Sequence, residues 1–192
     1  MKIEDDLVSG RLELPLGHWH SQEELRDSAV LALLVRRDGT DRLLFNRRRD
    51  DLPFHAGQIC FPGGAREGGE DAVACAVRET CEETGLDPAD VAVLGRLPDR
   101  VSIAGFKVAC FAGRIREPRP YVLAEDEVAE AFEIPCASFL DGQRWGHRET
   151  VHPLARFRRV PFFRYEDRTV WGLTGIILRD FVTQVMGYAP PV

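Results

Sequence analysis

The chain has 192 residues, of which 44% are hydrophobic, and a net charge of −6. This length and apolar content suit one domain, residues 1–192, with a sizeable buried core. The acidic balance argues against general binding of nucleic acids, which relies on clustered positive charge, and no run approaches the roughly 20 apolar residues of a transmembrane helix.

Apolar and alternating runs predict the strands, which in chain order are expected at residues 29–35, 42–46, 58–61, 91–97, 106–115, 157–163 and 169–171. Helices are expected at about 70–84, 125–132 and 173–186. Helix and strand alternate without the regular βαβ rhythm of a doubly wound sheet. The order therefore favours an α/β (α+β) protein, an α/β/α sandwich around a mixed sheet.

Three glutamates of the first predicted helix indicate metal binding. Glu79, Glu82 and Glu83 stand at i, i+3 and i+4, so they project from one face with no lysine between them. Each such like-charge pair costs a helix about 0.2–0.5 kcal/mol, which favours a neutralising cation. Carboxylates are hard ligands of the kind that Mg²⁺ or Mn²⁺ prefers. The alternative is a solvated acidic face.

The surroundings of the glutamates favour the metal-binding interpretation. Small residues fall among them on the helix, and small side chains let a substrate or another element approach the carboxylates. Before the helix, Phe61-Pro62-Gly63-Gly64 supplies a turn in which backbone carbonyls can point inward. Gly64 could therefore offer its carbonyl oxygen to the same metal.

The spacing of Gly64, Glu70 and Arg78-Glu79-x-x-Glu82-Glu83-x-Gly85-Leu86 resembles the Nudix box. This box is the signature of hydrolases that cleave nucleoside diphosphates linked to another moiety. The resemblance implies the α/β/α sandwich and a cofactor, Mg²⁺ or Mn²⁺, bound by the glutamates and Gly64. Thr80 stands where the family usually has a bulky aliphatic residue, which is a change on the packing face of the helix.

The segment upstream resembles the coenzyme A pyrophosphatase branch of this family. A leucine-rich strand ends in Arg47-Arg48-Arg49, and His55-Ala56-Gly57-Gln58 follows before the Phe-Pro-Gly-Gly turn. The resemblance implies that Arg47, Arg48, Arg49 and His55 bind phosphates of a small-molecule substrate, coenzyme A or a related nucleotide. Asn46 and Pro53 depart from the branch, which usually has threonine and arginine there. A solvated strand end and a loop histidine are the alternatives.

Two further roles are predicted for charged residues. Arg78 lies four residues before Glu82 and can hold it in position, although an ordinary surface pair has the same spacing. Members of the family take the general base from the box or from a distant loop, so Glu79 and Glu127 are both candidates. Glu127 lies at the start of the second predicted helix, where the helix dipole alone would also favour a carboxylate.

Three functions stay open at this point. The first is metal-dependent hydrolysis of coenzyme A or its thioesters to 3′,5′-ADP and 4′-phosphopantetheine. The second is hydrolysis of another nucleotide, such as ADP-ribose or a dinucleotide. The third is a ligand sensor without turnover, but a module that only binds has no need of three repelling carboxylates. The sequence leaves the oligomeric state, the acyl group and the choice of metal open.

The cysteines and the first residues indicate a cytoplasmic location. Residues 1–6 are acidic and lack the apolar stretch of a secretory signal. The five cysteines are scattered and have no CxxC spacing, which predicts reduced thiols and neither a disulfide framework nor a zinc site.

Overall fold

A computed structural model describes residues 1–12, 25–152 and 155–192 of the chain. The α-helices in these ranges are α1 (Asp5–Arg11), α2 (Ala72–Thr84) and α3 (Gly172–Gln184). The strands are β1 (Arg26–Arg37), β2 (Thr40–Arg48), β3 (Ile59–Cys60), β4 (Gly63–Ala65), β5 (Val91–Val101), β6 (Phe106–Ile115), β7 (Val128–Pro135), β8 (Trp145–His152), β9 (Ala155–Tyr165) and β10 (Arg168–Val170). None of the described helices is long and apolar enough to cross a membrane.

The strands form two sheets. Seven of them make a mixed sheet in the order β3-β2-β1-β6-β5, in which β4 also pairs with β1 and β7 also pairs with β2. β1 runs parallel to β6, with Leu31 opposite Phe111, whereas β2 and β4 pair antiparallel with β1. The second sheet is antiparallel and has the order β10-β9-β8. The mixed sheet confirms the arrangement predicted from the order of elements.

Helices cover both faces of the mixed sheet. Leu31 of β1 packs in one cluster with Ala76 of α2, whereas Leu34 packs in another with Phe181 of α3. Successive side chains of a strand point to opposite faces, so both faces of β1 are buried and its sequence is a continuous apolar run. The fold is therefore the predicted α/β/α sandwich. The predicted domain, residues 1–192, also includes residues 13–24 and 153–154, which lie outside the described residues.

The helix predicted at residues 125–132 is wrong, because residues 128–135 form strand β7. β7 runs antiparallel to β2 and places Phe132 opposite Phe45 and Ile134 opposite Leu43. The paired residues lie 80 to 93 positions apart in the chain, so local residue preferences did not reveal the strand. The helix α1 and the strands β4 and β8 were also not predicted.

A buried ionic network attaches the N-terminal residues to the hairpin of β1 and β2. The side chain of Asp41 is fully buried and accepts hydrogen bonds from Arg36 at 2.9 Å, from Arg114 at 2.8 Å and from the backbone N–H of Ile3. Burial by itself would raise the pKa of Asp41, but these donors outweigh it and lower the pKa from 3.8 to about 2.

We expect Asp41→Asn to lower the free energy of unfolding by about 3 kcal/mol, because it leaves the buried Arg114 with the half-exposed Asp5 as its one remaining carboxylate partner among the described residues. The stabilisation from the Asp41 carboxylate is present above about pH 4 and is lost as the pH falls through about 2. Urea unfolding from pH 7 to pH 2 should therefore show a shallower pH dependence in the variant. Asp6→Asn, on an exposed position of α1, is the control, and an equal loss in both variants would contradict the prediction.

Candidate active site

The turn before α2 brings the backbone of Gly64 against the carboxylate of Glu79. Gly63 has φ of 149°, and a Cβ atom at this position would overlap the backbone carbonyl of Ala29 in β1. A Cβ atom at Gly64 would overlap the carboxylate of Glu79. The two glycines therefore allow β4 to lie against β1 on one side and against the glutamates of α2 on the other.

Caps at both ends fix the register of α2. The side chain of Asp71 accepts a hydrogen bond from the N–H of Ala74 at 2.8 Å, and the left-handed Gly85 donates to the carbonyl of Cys81 at 2.8 Å. Thr80 is buried, and its hydroxyl donates to the carbonyl of Ala76 at 2.7 Å. The departure of Thr80 from the aliphatic residue of the family thus leaves no unpaired hydroxyl on the packing face.

Glu83 is the most buried of the three glutamates. It is 3% exposed and accepts hydrogen bonds from Nδ2 of Asn46 at 2.9 Å and from the N–H of Gly63 at 3.1 Å. Burial raises the pKa of Glu83 to about 7, against the lowering effect of these donors. The carboxylate is therefore held in position, but its charge is poorly solvated.

Arg78 connects the acidic residues around it. Its guanidinium lies 2.8 Å from Glu70, 3.1 Å from Glu79 and 2.8 Å from Glu82. It also donates to the carbonyl of Ala65 in β4 at 3.0 Å. The predicted pair of Arg78 with Glu82 is confirmed, and hydrogen bonds from Arg78 lower the pKa of Glu70 to about 2.

The negative charges of the site act on one another. Burial raises the pKa of Glu79, Arg78 lowers it, and the charges of Glu82 and Glu127 raise it further. Glu127 is thus close enough to act on Glu79, although it lies in the segment before β7 and not on α2. Because residues 128–135 form a strand, a helix dipole does not account for the carboxylate at Glu127.

The donor atoms fit a hard divalent cation. Glu79, Glu82, Glu83 and the carbonyl of Gly64 supply oxygen only, which suits Mg²⁺ or Mn²⁺. Within the described residues, no three carboxylate, imidazole or thiol groups converge on one point, so the side chains would have to turn toward one another to share an ion. Glu82 has room to turn, because 59% of its side chain is exposed. Turning would move its carboxylate relative to Arg78, with which it is paired.

A cavity of about 520 Å³ adjoins Gly64 and is walled largely by apolar side chains. Phe106 and Val108 of β6 line it from the sheet, and Leu173 and Ile177 line it from α3. Among its described lining residues, Arg48 carries the one formal charge. Large apolar cavities beside a few convergent polar groups are typical of small-molecule sites.

The three consecutive arginines differ in their surroundings. Arg47 lies 3.0 Å from Asp50, and Arg49 lies 2.7 Å from Asp51. Arg48 lines the cavity, its Nε atom is buried without a hydrogen-bond partner, and no described carboxylate pairs with it. Only Arg48 of the three is thus placed in the cavity with its guanidinium available.

His55 also lines the cavity, and its Nδ1 atom lies 3.0 Å from Oε1 of Gln58. The structure therefore brings His55 and Arg48 together, along with Gly64. Two residues of the site had no role in the sequence prediction, Asn46 as a donor to Glu83 and Glu70 as a partner of Arg78. The one sequence signal for Asn46 was its departure from the threonine of the coenzyme A branch.

Comparisons with known proteins agree on the family. Residues 25–157 match the NUDIX domain. The protein named "Uncharacterized Nudix hydrolase NudL" of Escherichia coli (strain K12 / DH10B) is 39% identical over 166 residues, which cover 83% of this chain and 83% of that protein. The protein of the same name from Cronobacter sakazakii is 39% identical over 161 residues, with the same coverage of both chains.

Solved structures show the same fold. A MutT/nudix family protein from Enterococcus faecalis has a TM-score of 0.54 at 18% identity, covering 94% of this chain and 69% of that one. The Nudix hydrolase RenU from M. smegmatis has a TM-score of 0.51 at 22% identity, covering 60% of this chain and 74% of that one. Residues 25–157 match the NUDIX domain, and the chain is 39% identical to the Escherichia coli protein over 83% of the length of each. This chain therefore belongs to the Nudix hydrolase family.

Proposed function

We propose that this protein hydrolyses the diphosphate of coenzyme A or of its thioesters, giving 3′,5′-ADP and 4′-phosphopantetheine or its acyl derivative. One observation carries the proposal. The apolar cavity of about 520 Å³ begins at Gly64, beside the glutamates of α2, and contains an arginine without a carboxylate partner among the described residues. A diphosphate at the glutamates would place the attached moiety in this cavity.

The apolar walls of the cavity favour a pantetheine arm over a second sugar. Burying a hydroxyl without a hydrogen-bond partner costs about 1–3 kcal/mol, so the second sugar of ADP-ribose or of a dinucleotide would be poorly accommodated. The pantetheine arm carries methyl and methylene groups, and a thioester adds an apolar chain. Its one hydroxyl and two amides are spaced along the arm, so separate wall residues such as Gln58, Ser102 and Thr174 can partner them, which is harder for several hydroxyls on a single sugar ring.

Glu79, Glu82, Glu83 and the carbonyl of Gly64 would hold Mg²⁺ or Mn²⁺. When bound, such an ion screens the phosphate charges and lowers the pKa of a bound water. The protein supports these ligands from behind, since Arg78 holds Glu79 and Glu82 while Asn46 holds Glu83. Once the side chains have turned to share the ion, ligands held in this way need little further movement when the substrate reacts.

The base that removes a proton from the attacking water is either Glu79 or Glu127. Burial and the neighbouring negative charges raise the pKa of Glu79, which makes it a stronger base than an exposed glutamate. Glu127 is exposed and its charge acts on the acidic cluster formed by Glu79, Glu82 and Glu83. It is not itself a residue of α2. The charge of Glu127 acts on the pKa of Glu79, so both carboxylates stay candidates.

We assign the 3′-phosphate of the nucleotide to Arg48, which is two residues from Asn46, the donor to Glu83, and so lies at the end of the cavity near the glutamates and not along the pantetheine arm; His55 also lines the cavity. This phosphate is the charge that ADP-ribose lacks, and an acidic protein needs a local cation to accept it. Arg47 and Arg49 would have to release Asp50 and Asp51 before they could contact a phosphate. We therefore expect them to contribute less than Arg48.

A panel of nucleotides tests the proposal. The purified protein is incubated with Mg²⁺ or Mn²⁺ and with coenzyme A, an acyl thioester, ADP-ribose or a dinucleotide, and the products are resolved by chromatography. We expect the highest kcat/KM with coenzyme A or its thioester, with 3′,5′-ADP as a product. A higher kcat/KM with ADP-ribose or the dinucleotide would identify a different Nudix hydrolase, and binding without any turnover would identify a sensor.

A further inference from the structure

One wall of the cavity belongs to the second sheet. Val160 of β9 and Trp171, just before α3, both line the cavity. Val160 lies opposite Arg148 of β8 in the antiparallel pair. Directly opposed residues of an antiparallel pair point to the same face, so Arg148 lies beside this wall.

The guanidinium of Arg148 rests on aromatic rings. It lies 5.7 Å from the centre of the Trp171 ring and 5.9 Å from that of Phe162, both within range of a cation–π interaction. Arg148 is exposed, and no carboxylate of the described residues pairs with it. The rings therefore position the group next to the cavity, while its hydrogen-bond donors stay available.

A neighbouring arginine shows the contrast. Arg144 lies in the turn before β8 and also stacks on an aromatic ring, at 5.7 Å from the centre of Tyr165. Its guanidinium, however, lies 3.1 Å from Asp141. Arg144 is thus a stacked arginine whose charge is already paired.

The charge of this region differs from that of the whole chain. Among the described side chains of residues 144–164, four are arginines and one is acidic, Glu149, whereas the chain has a net charge of −6. A local excess of one sign attracts ligands of the other sign and indicates an anionic partner. Because Arg148 lies beside Val160 and Trp171 of the cavity wall, the anion that it attracts can be part of a molecule bound in the cavity.

We propose that Arg148 binds a carboxylate at the end of the acyl group of a coenzyme A thioester, so that thioesters of dicarboxylic acids are preferred. The inference rests on the proposed function, in which the diphosphate lies at the glutamates and the 3′-phosphate at Arg48. Those assignments use every charge of coenzyme A itself. An additional arginine at the cavity wall therefore matches an additional anion, which a dicarboxylic acyl group supplies.

The test compares two thioesters of equal chain length, adipoyl-coenzyme A with a terminal carboxylate and hexanoyl-coenzyme A without one. Dissociation constants are measured by calorimetry in EDTA, so that binding is read without turnover. We expect the wild type to bind the adipoyl thioester about three- to tenfold more tightly, as suits an exposed charge pair, and the preference to shrink at high salt. Arg144→Ala should keep this preference, Arg148→Lys should keep most of it, and Arg148→Ala should lose it.

The inference would be overturned by equal binding of the two thioesters by the wild type, or by an undiminished preference in Arg148→Ala. Coenzyme A and dephospho-coenzyme A are measured in the same variants. If Arg148→Ala instead lost a preference for coenzyme A, Arg148 would bind the nucleotide phosphate and the inference would also fail. Failure of the proposed function is read separately, from the absence of coenzyme A turnover by the wild type with Mg²⁺.

Discussion

Replacing Glu83 with glutamine should lower kcat by about a hundredfold or more while leaving the protein folded. Glutamine keeps an oxygen that can accept a hydrogen bond from Asn46 or from the N–H of Gly63, but it removes the charge that would bind a divalent cation. Burial already raises the pKa of Glu83 to about 7, so a neutral side chain suits this position. The free energy of unfolding should therefore stay the same or rise by about 1 kcal/mol.

Turnover of coenzyme A is measured over a range of Mg²⁺ concentrations, together with the melting temperature of the variant. Glu117→Gln is the control, because Glu117 is exposed and lies outside the acidic cluster. This control should match the wild type in both measurements. Turnover at the wild-type rate in Glu83→Gln, or turnover that persists in excess EDTA, would exclude Glu83 as a metal ligand.

The same assay separates the two candidate bases. A residue that only accepts a proton affects kcat far more than the concentration of Mg²⁺ needed for half-maximal activity, whereas a metal ligand affects both. Glu79→Gln should change both quantities, since Glu79 lies against Gly64. If Glu127→Gln stays within about threefold of the wild-type kcat, Glu127 is not the base and Glu79 takes that role.

The parts of the site that sequence analysis predicted are local in the chain. Glu79, Glu82 and Glu83 share a helix face because they are three and four residues apart, and the pair of Arg78 with Glu82 follows from the same spacing. The turn of Gly63 and Gly64 immediately precedes that helix. No long-range information is needed to place these groups together.

The parts that sequence analysis missed depend on distant contacts. Asn46 and Glu83 are 37 residues apart and meet only because β2 and α2 belong to the same layered fold. β7 exists as a strand because β2 offers an edge with which it can pair. The arginines are a different case, since Arg47 and Arg49 pair with the nearby Asp50 and Asp51, and the long-range feature that sets Arg48 apart is its place in the cavity wall.

The second large effect is expected from replacing Arg48, the arginine that lines the cavity. Arg48→Ala should lower kcat/KM for coenzyme A by about tenfold, and at most about a hundredfold, because a charge-assisted contact contributes about 1.5–3 kcal/mol. The smaller value is expected, since Pro53 stands where the coenzyme A branch usually has another arginine. The wild type should prefer coenzyme A over dephospho-coenzyme A by the same factor, and Arg48→Ala should lose most of that preference.

Arg47→Ala is the matched control for Arg48→Ala, since it removes an adjacent guanidinium that is already paired with Asp50. It should stay within about threefold of the wild-type kcat/KM, because a surface ion pair contributes less than about 1 kcal/mol. Equal losses in the two variants would mean that the arginines act through the general positive charge of the strand end. Equal kcat/KM of the wild type for coenzyme A and dephospho-coenzyme A would remove the 3′-phosphate from the recognition of the substrate. In that case the apolar cavity alone would favour coenzyme A, and thioesters with longer acyl chains would become the decisive substrates, because each buried methylene adds about 0.8 kcal/mol of binding.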